Sequence, residues 1–145
     1  MGGRGASIGT KYYYDGKKWR MYGDEYQSVH TAGNIKFLLN TDSNNTRAPL
    51  ETRTKGRVYV TLNKKDGKPQ YVTYYDKKSK KFKQIDVYKN HRHIDPQLGD
   101  LGKEHTHNGY LHDENGSRKL TVKERRLVAK IKQEWRINVR NKFRL

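Results

Sequence analysis

Five of the six histidines in this chain fall in one stretch, HRHIDPQLGDLGKEHTHNGYLH, residues 91 to 112. His91 and His93 are two apart, as are His105 and His107. In an extended chain that spacing turns both side chains of a pair to one face. Such pairs suit two chemistries: a histidine-rich metal site, or a base and an acid offered to one substrate, because imidazole titrates near neutrality. A metal would draw a carboxylate from Asp86, Asp95, Asp100 or Glu104, as ligand or as support for a ligand. The strong metal spacings HExxH and CxxC and the EF-hand loop are all absent, and a chain without cysteine has no thiolate ligand or nucleophile. No metal or other cofactor is therefore expected, and a histidine-ligated metal nuclease stands as a second alternative.

The acid–base reading fits RNA cleavage. One histidine takes the 2′-OH proton, another gives a proton to the departing 5′-oxygen, and fixed cations hold the charge that gathers on the phosphate. His105 or His107 is the expected base or acid, with His30 as its partner. Arg57 and Lys36 are expected to stabilise the phosphate, and Tyr110 to position a proton or stack a base. Neither a GxSxG elbow nor a GxxxxGK[ST] loop is present, so acyl transfer and P-loop chemistry have no support.

Charge points to the same class of partner. The 145-residue chain carries 32 Lys and Arg against 15 Asp and Glu, a net charge of +17. That is the electrostatic footprint of a nucleic-acid binder, with a merely well-solvated basic surface as the bland alternative. The excess is steepest from residue 118 to 145, where eleven basic side chains face two acidic ones. Arg125, Arg126, Lys130, Arg136 and Arg140 are the expected phosphate contacts, joined by Lys83, and Tyr59 is expected to stack a base. RNA is favoured over DNA. No run of 18 apolar residues exists and the N-terminus has no apolar signal core, so a soluble intracellular protein with no membrane partner is expected.

These residues need a scaffold, and the sequence suggests one. Residues 1–25, rich in Gly, Lys and Tyr, read as a flexible segment or linker, and residues 26–145 as a single domain. Gln27 to Leu39 reads as two short strands broken at Ala32-Gly33-Asn34, and 40–56 as loop. RVYVTLN (57–63) alternates Val58, Val60 and Leu62 against Arg57, Tyr59 and Thr61. With QYVTYYD (70–76) and KFKQIDVY (81–88) it predicts an antiparallel three-stranded meander, its first turn at Asp66-Gly67. Residues 89–103, with Pro96, Gly99 and Gly102, predict a long loop, and 104–110 a fourth strand. Thr121 with Glu124 has the spacing of a capping box, and Val128, Ile131, Trp135 and Val139 then fall on one stripe of a helix. The expected class is α+β: an antiparallel sheet of about four strands packed against a basic, amphipathic C-terminal helix.

The succession HTAGNIKFL, ETRTKGRVYVTL, YYDKKSKKFKQIDVY, HTHNGY and LTVKERRLVAKIKQEW resembles the carboxy-terminal module of phage minor head (head-morphogenesis) proteins. That module is similar to the barnase–EndoU–colicin–RelE group of metal-independent ribonucleases. The likeness spans roughly residues 26 to 140. It implies an α+β fold, a toxin-like endoribonuclease (a hydrolase), and two distinctive patches, KQID at Lys83 to Asp86 and HTHNGY at His105 to Tyr110. It also implies a setting in the host bacterial cytoplasm or the virion, with phage head proteins or a host or immunity protein as partners. The alternative is a non-enzymatic phage structural or accessory protein that binds nucleic acid or a host protein through its basic surface.

Overall fold

Seven strands form the central sheet, and the chain crosses it in sequence order from one edge to the other. They are β1 (Tyr26–Ala32), β2 (Ile35–Asn40), β3 (Val58–Leu62), β4 (Pro69–Tyr75), β5 (Lys81–Asp86), β6 (His105–Asn108) and β7 (Ser117–Lys119). The structure is a computed structural model that describes residues 6–7, 12–14, 19–21, 25–41, 46–52, 56–88, 93–95, 99–102, 104–110 and 115–143. Every neighbouring pair is antiparallel except β2 and β3, which run parallel. The expected meander is present as β3–β4–β5, and the expected fourth strand as β6. The sheet is nonetheless larger than the four strands anticipated. A parallel β2–β3 pair needs a long return, and that return is the polar stretch that reads as loop. The last strand, Ser117-Arg118-Lys119, is too short to show any alternation.

The chain turns from β1 into β2 at Gly33, whose φ of 61° lies in the left-handed region open to glycine. Gly67 plays the same part between β3 and β4, with φ 72° and its N–H donating to the Asn63 carbonyl at 2.8 Å. Its own carbonyl accepts from the indole of Trp135 (2.8 Å), which pins the C-terminal helix to that hairpin.

The helix α1 (Val122–Glu134) runs on through a widened turn, Trp135–Val139, and a tight last turn, Arg140–Phe143. It begins at the expected capping box: the Thr121 hydroxyl accepts from the Glu124 N–H (3.1 Å), and the Glu124 carboxylate accepts from the Thr121 N–H (2.9 Å). Thr121→Ala removes one of those partners and should cost about 1 kcal/mol in a urea unfolding curve. The predicted stripe is the buried one. Val128, Ile131 and Val139 pack with Ile35, Phe37, Val60, Leu62, Val72 and Ile85 from the sheet, and Trp135 lies against the same cluster. Each such side chain contributes about 1.5 to 3 kcal/mol by leaving water.

The opposite face of the sheet carries a second, tyrosine-rich cluster of Tyr26, Leu38 and Tyr59, closed by Ala6. The segment 46–52 lies along it. Hydroxyls anchor that segment: Tyr26 donates to the Arg47 carbonyl and Tyr75 to the Pro49 carbonyl (both 2.6 Å), and Thr52 and Tyr59 share a bond of 2.5 Å. Ala6–Ser7 pairs with Glu51–Thr52. Tyr12–Tyr14 pairs with Trp19–Met21. Where a long loop was expected, His93–Asp95 and Gly99–Gly102 form a short antiparallel ribbon.

Candidate functional site

The two patches KQID and HTHNGY come together as neighbouring strands, β5 and β6. Ile85 points into the core beneath the helix, so its neighbours Gln84 and Asp86 project from the other face. Thr106 bonds Glu124 on the helix side (3.2 Å), which sends His105 and His107 to the face that Asp86 occupies. The register sets His105 directly opposite Asp86 and His107 opposite Gln84, while Ser117 of β7 stands opposite His107. Five polar side chains from three strands thus meet on one patch of sheet.

Their contacts are specific. Nε2 of His107 lies 3.0 Å from Asp86 Oδ2, and Nε2 of His105 lies 3.3 Å from the same oxygen. The two rings stand nearly perpendicular, at 82°, with centroids 4.7 Å apart. Gln84 Nε2 donates to Asp86 Oδ1 (3.0 Å), and Lys81 Nζ donates to Gln84 Oε1 (2.9 Å). With Asp86 ionised, a neutral His107 donates from Nε2, which leaves Nδ1 to accept the Ser117 hydroxyl at 2.8 Å. Burial alone would raise the Asp86 carboxyl, but the bonds from His105, His107 and Gln84 outweigh it and hold the group well below the usual carboxylate range. His105 is 0% exposed, His107 3% and Asp86 5%, so the cluster is enclosed by protein. Asp86 was one of four carboxylates within reach on sequence; Gln84, Lys81 and Ser117 were not foreseen as partners, and only the strand register reveals them.

Other expected site residues lie elsewhere. His30 packs against Phe37 on the helix side (centroids 5.8 Å apart), and its Nε2 is 2.8 Å from Glu134 of α1. It sits on β1, five strand steps from β6, which is roughly 24 Å at the usual strand spacing. His30 therefore cannot share one phosphate with His105 or His107, and the expected acid–base pair is not assembled. Lys36 on β2 and Arg57, just before β3, are neighbours: burial and the Arg57 charge both push the Lys36 ammonium below its usual range. They lie three to four strand steps from the histidines, roughly 14 to 19 Å, and do not form a phosphate clamp around them. Tyr110 is half-buried with the Lys80 ammonium 5.8 Å from its ring centre, at the Lys81 end of β5. Tyr59 is fully buried and bonded to Thr52, so it stacks no base. Lys83 is tied to Glu124 (2.9 Å) and covers the Tyr74 ring at 4.1 Å.

No protein-family model, curated protein or solved structure matches this chain.

One expected group remains where it was anticipated. Arg125, Arg126, Lys130, Arg136 and Arg140 are all exposed, and none is locked in a salt bridge among the described residues. At 3.6 residues per turn Arg125, Arg126 and Lys130 of α1 fall within roughly 140° of arc, on the side away from the buried stripe, and Arg136 and Arg140 follow on the two turns that extend the helix. Lys132 instead pairs with Glu104. No helix among the described residues is long and apolar enough to cross a membrane.

Proposed function

We propose that this protein binds nucleic acid, single-stranded RNA first, by laying the polyanion along the solvent face of its C-terminal helix. The observation that carries the reading is the row Arg125, Arg126, Lys130, Arg136 and Arg140, exposed and in no salt bridge among the described residues, on a helix whose opposite side is anchored in the core. Four guanidinium groups and one ammonium on a fixed helix, in no salt bridge among the described residues, meet phosphates directly, and counterion release then drives binding. A net charge of +17 supports the same direction over the whole chain. Phe82, 44% exposed and 6.2 Å from the Tyr74 ring, offers a face on which an unpaired base can stack, which favours single strands over duplex.

RNA scission by paired histidines has weaker support, because His105 and His107 are enclosed and His30 lies across the sheet. The test is fluorescence anisotropy with labelled single-stranded RNA, single-stranded DNA and duplex DNA. Five phosphate contacts predict an affinity for single strands that falls about a hundredfold between 50 and 200 mM salt. RNA recovered from the same samples in chelator should be intact on a gel. Binding that ignores salt would remove the proposal, and cleavage abolished by His105→Gln or His107→Gln would restore the catalytic reading.

A further inference from the structure

We infer that Asp86, His105 and His107 form a binding site for a divalent transition-metal ion of the zinc type, held by one carboxylate oxygen and two imidazole nitrogens. These residues lie outside the basic helix row, so the inference stands or falls independently of RNA binding.

Zinc bonds of about 2.0 to 2.2 Å in a tetrahedral shell set the ligand atoms about 3.3 Å or slightly more from one another. Asp86 Oδ2 already stands 3.0 Å from His107 Nε2 and 3.3 Å from His105 Nε2, and one atom of each residue lies within 4.8 Å of the others. Both oxygen–nitrogen separations are therefore within a few tenths of an ångström of that value. Both Nε2 atoms also face the same carboxylate oxygen, from rings inclined at 82°.

Two further side chains brace the ligands from behind. Gln84 occupies Asp86 Oδ1 and leaves Oδ2 to ligate, while Ser117 holds His107 at Nδ1. When Nε2 of His107 binds a cation, its proton resides on Nδ1 and is donated to Ser117 Oγ. The hydroxyl reverses from donor to acceptor with no movement of heavy atoms, which is how histidine ligands are usually braced. Two nitrogens and one oxygen select zinc, cobalt, nickel or iron(II) over magnesium and calcium, which prefer all-oxygen shells. Lys81, a positive charge that would oppose the ion, is turned onto Gln84 Oε1. The ion fastens β5 to β6 and, through Ser117, to β7.

The test uses the whole chain, purified without a histidine tag and stripped with chelator, then titrated with Co²⁺ alone and Zn²⁺ alone at neutral pH. Each addition is held until uptake stops, since enclosed ligands exchange slowly. One equivalent of Co²⁺ should produce the visible absorption of a tetrahedral nitrogen–oxygen site, and one equivalent of Zn²⁺ should displace it. Nitrogen-15 spectra should show His107 passing from the Nε2–H to the Nδ1–H tautomer. Combined His91→Gln, His93→Gln and His112→Gln should retain both signals. Ser117→Ala, which spares all three ligands, should weaken Zn²⁺ binding about tenfold to a hundredfold, and Asp86→Asn by more. Absence of stoichiometric uptake by the native chain overturns the proposal. So does uptake that vanishes in the triple histidine variant while persisting in Asp86→Asn and Ser117→Ala. RNA anisotropy on the same samples, with and without Zn²⁺, keeps a failure of either proposal separate from the other.

Discussion

Glu124→Ala should lower the stability of this protein by about 3 kcal/mol, read as a drop in urea midpoint at unchanged slope. The reason is the number of groups that one buried carboxylate satisfies. Arg118 approaches it with two nitrogens (2.7 and 2.9 Å), Lys83 adds a third cation contact (2.9 Å), and Thr106 and the Thr121 N–H add two more bonds. These come from β5, β6, β7 and the start of α1, so the carboxylate joins the sheet edge to the helix. Removing it leaves Arg118 and Lys83 facing each other without an anion and takes away half of the capping box. Arg118 keeps partial access to water, which holds the figure at the lower end for a broken buried pair.

The same group sets an acid limit. Burial would raise the Glu124 carboxyl, but Arg118, the Thr121 N–H and Lys83 together hold it far below the usual range. A carboxylate depressed in the folded state contributes its full stability above the unfolded value, about 4.3, and loses it progressively as pH falls below that. Native stability should therefore decline below about pH 5, and Glu124→Gln should start lower but decline less steeply. Asp86 is depressed in the same direction, so flattening in the single variant is partial. A Glu124→Gln stability profile parallel to the native one from pH 6 to 3 would remove Glu124 as a source of the acid sensitivity.

What could be read in advance follows from the range of each interaction. The helix was legible because its signals are local: Thr121 and Glu124 are three apart, and the buried stripe repeats every turn. The strands β3, β4 and β5 declare themselves by alternation in the same way. Long-range pairing has no such trace. Nothing local states that β2 lies parallel to β3, nor that residues 46–52 and Ala6 cover Tyr59 and deny it to a ligand. The position of His30 depends on a break in register between Ser28 and His30 and on five intervening strand steps, neither of which is written in its neighbours. Conversely, the alternation that places Asp86 opposite Ile85 was visible. The convergence of Asp86 with His105 and His107 needed one more fact, the antiparallel register in which His105 faces Asp86.

Changing Arg125, Arg126, Lys130, Arg136 and Arg140 together to Gln should weaken single-stranded RNA binding on the order of a thousandfold at 0.1 M salt, since each lost contact removes about 0.7 from the log–log salt slope. The residual slope should be shallower by about 3.5 on the same principle. Stability should change little, because exposed positions usually move it by no more than about 0.5 kcal/mol and five fewer like charges on one helix relieve repulsion. That contrast makes the variant informative. A fall in affinity with an intact unfolding curve places the binding energy on this face. An unchanged slope would move it to the β4–β5 hairpin, where Lys77, Lys78 and Lys80 are also exposed. Single substitutions discriminate further: five independent phosphate contacts predict about 0.7 of slope from each residue, whereas one dominant anchor would show most of the change at a single position.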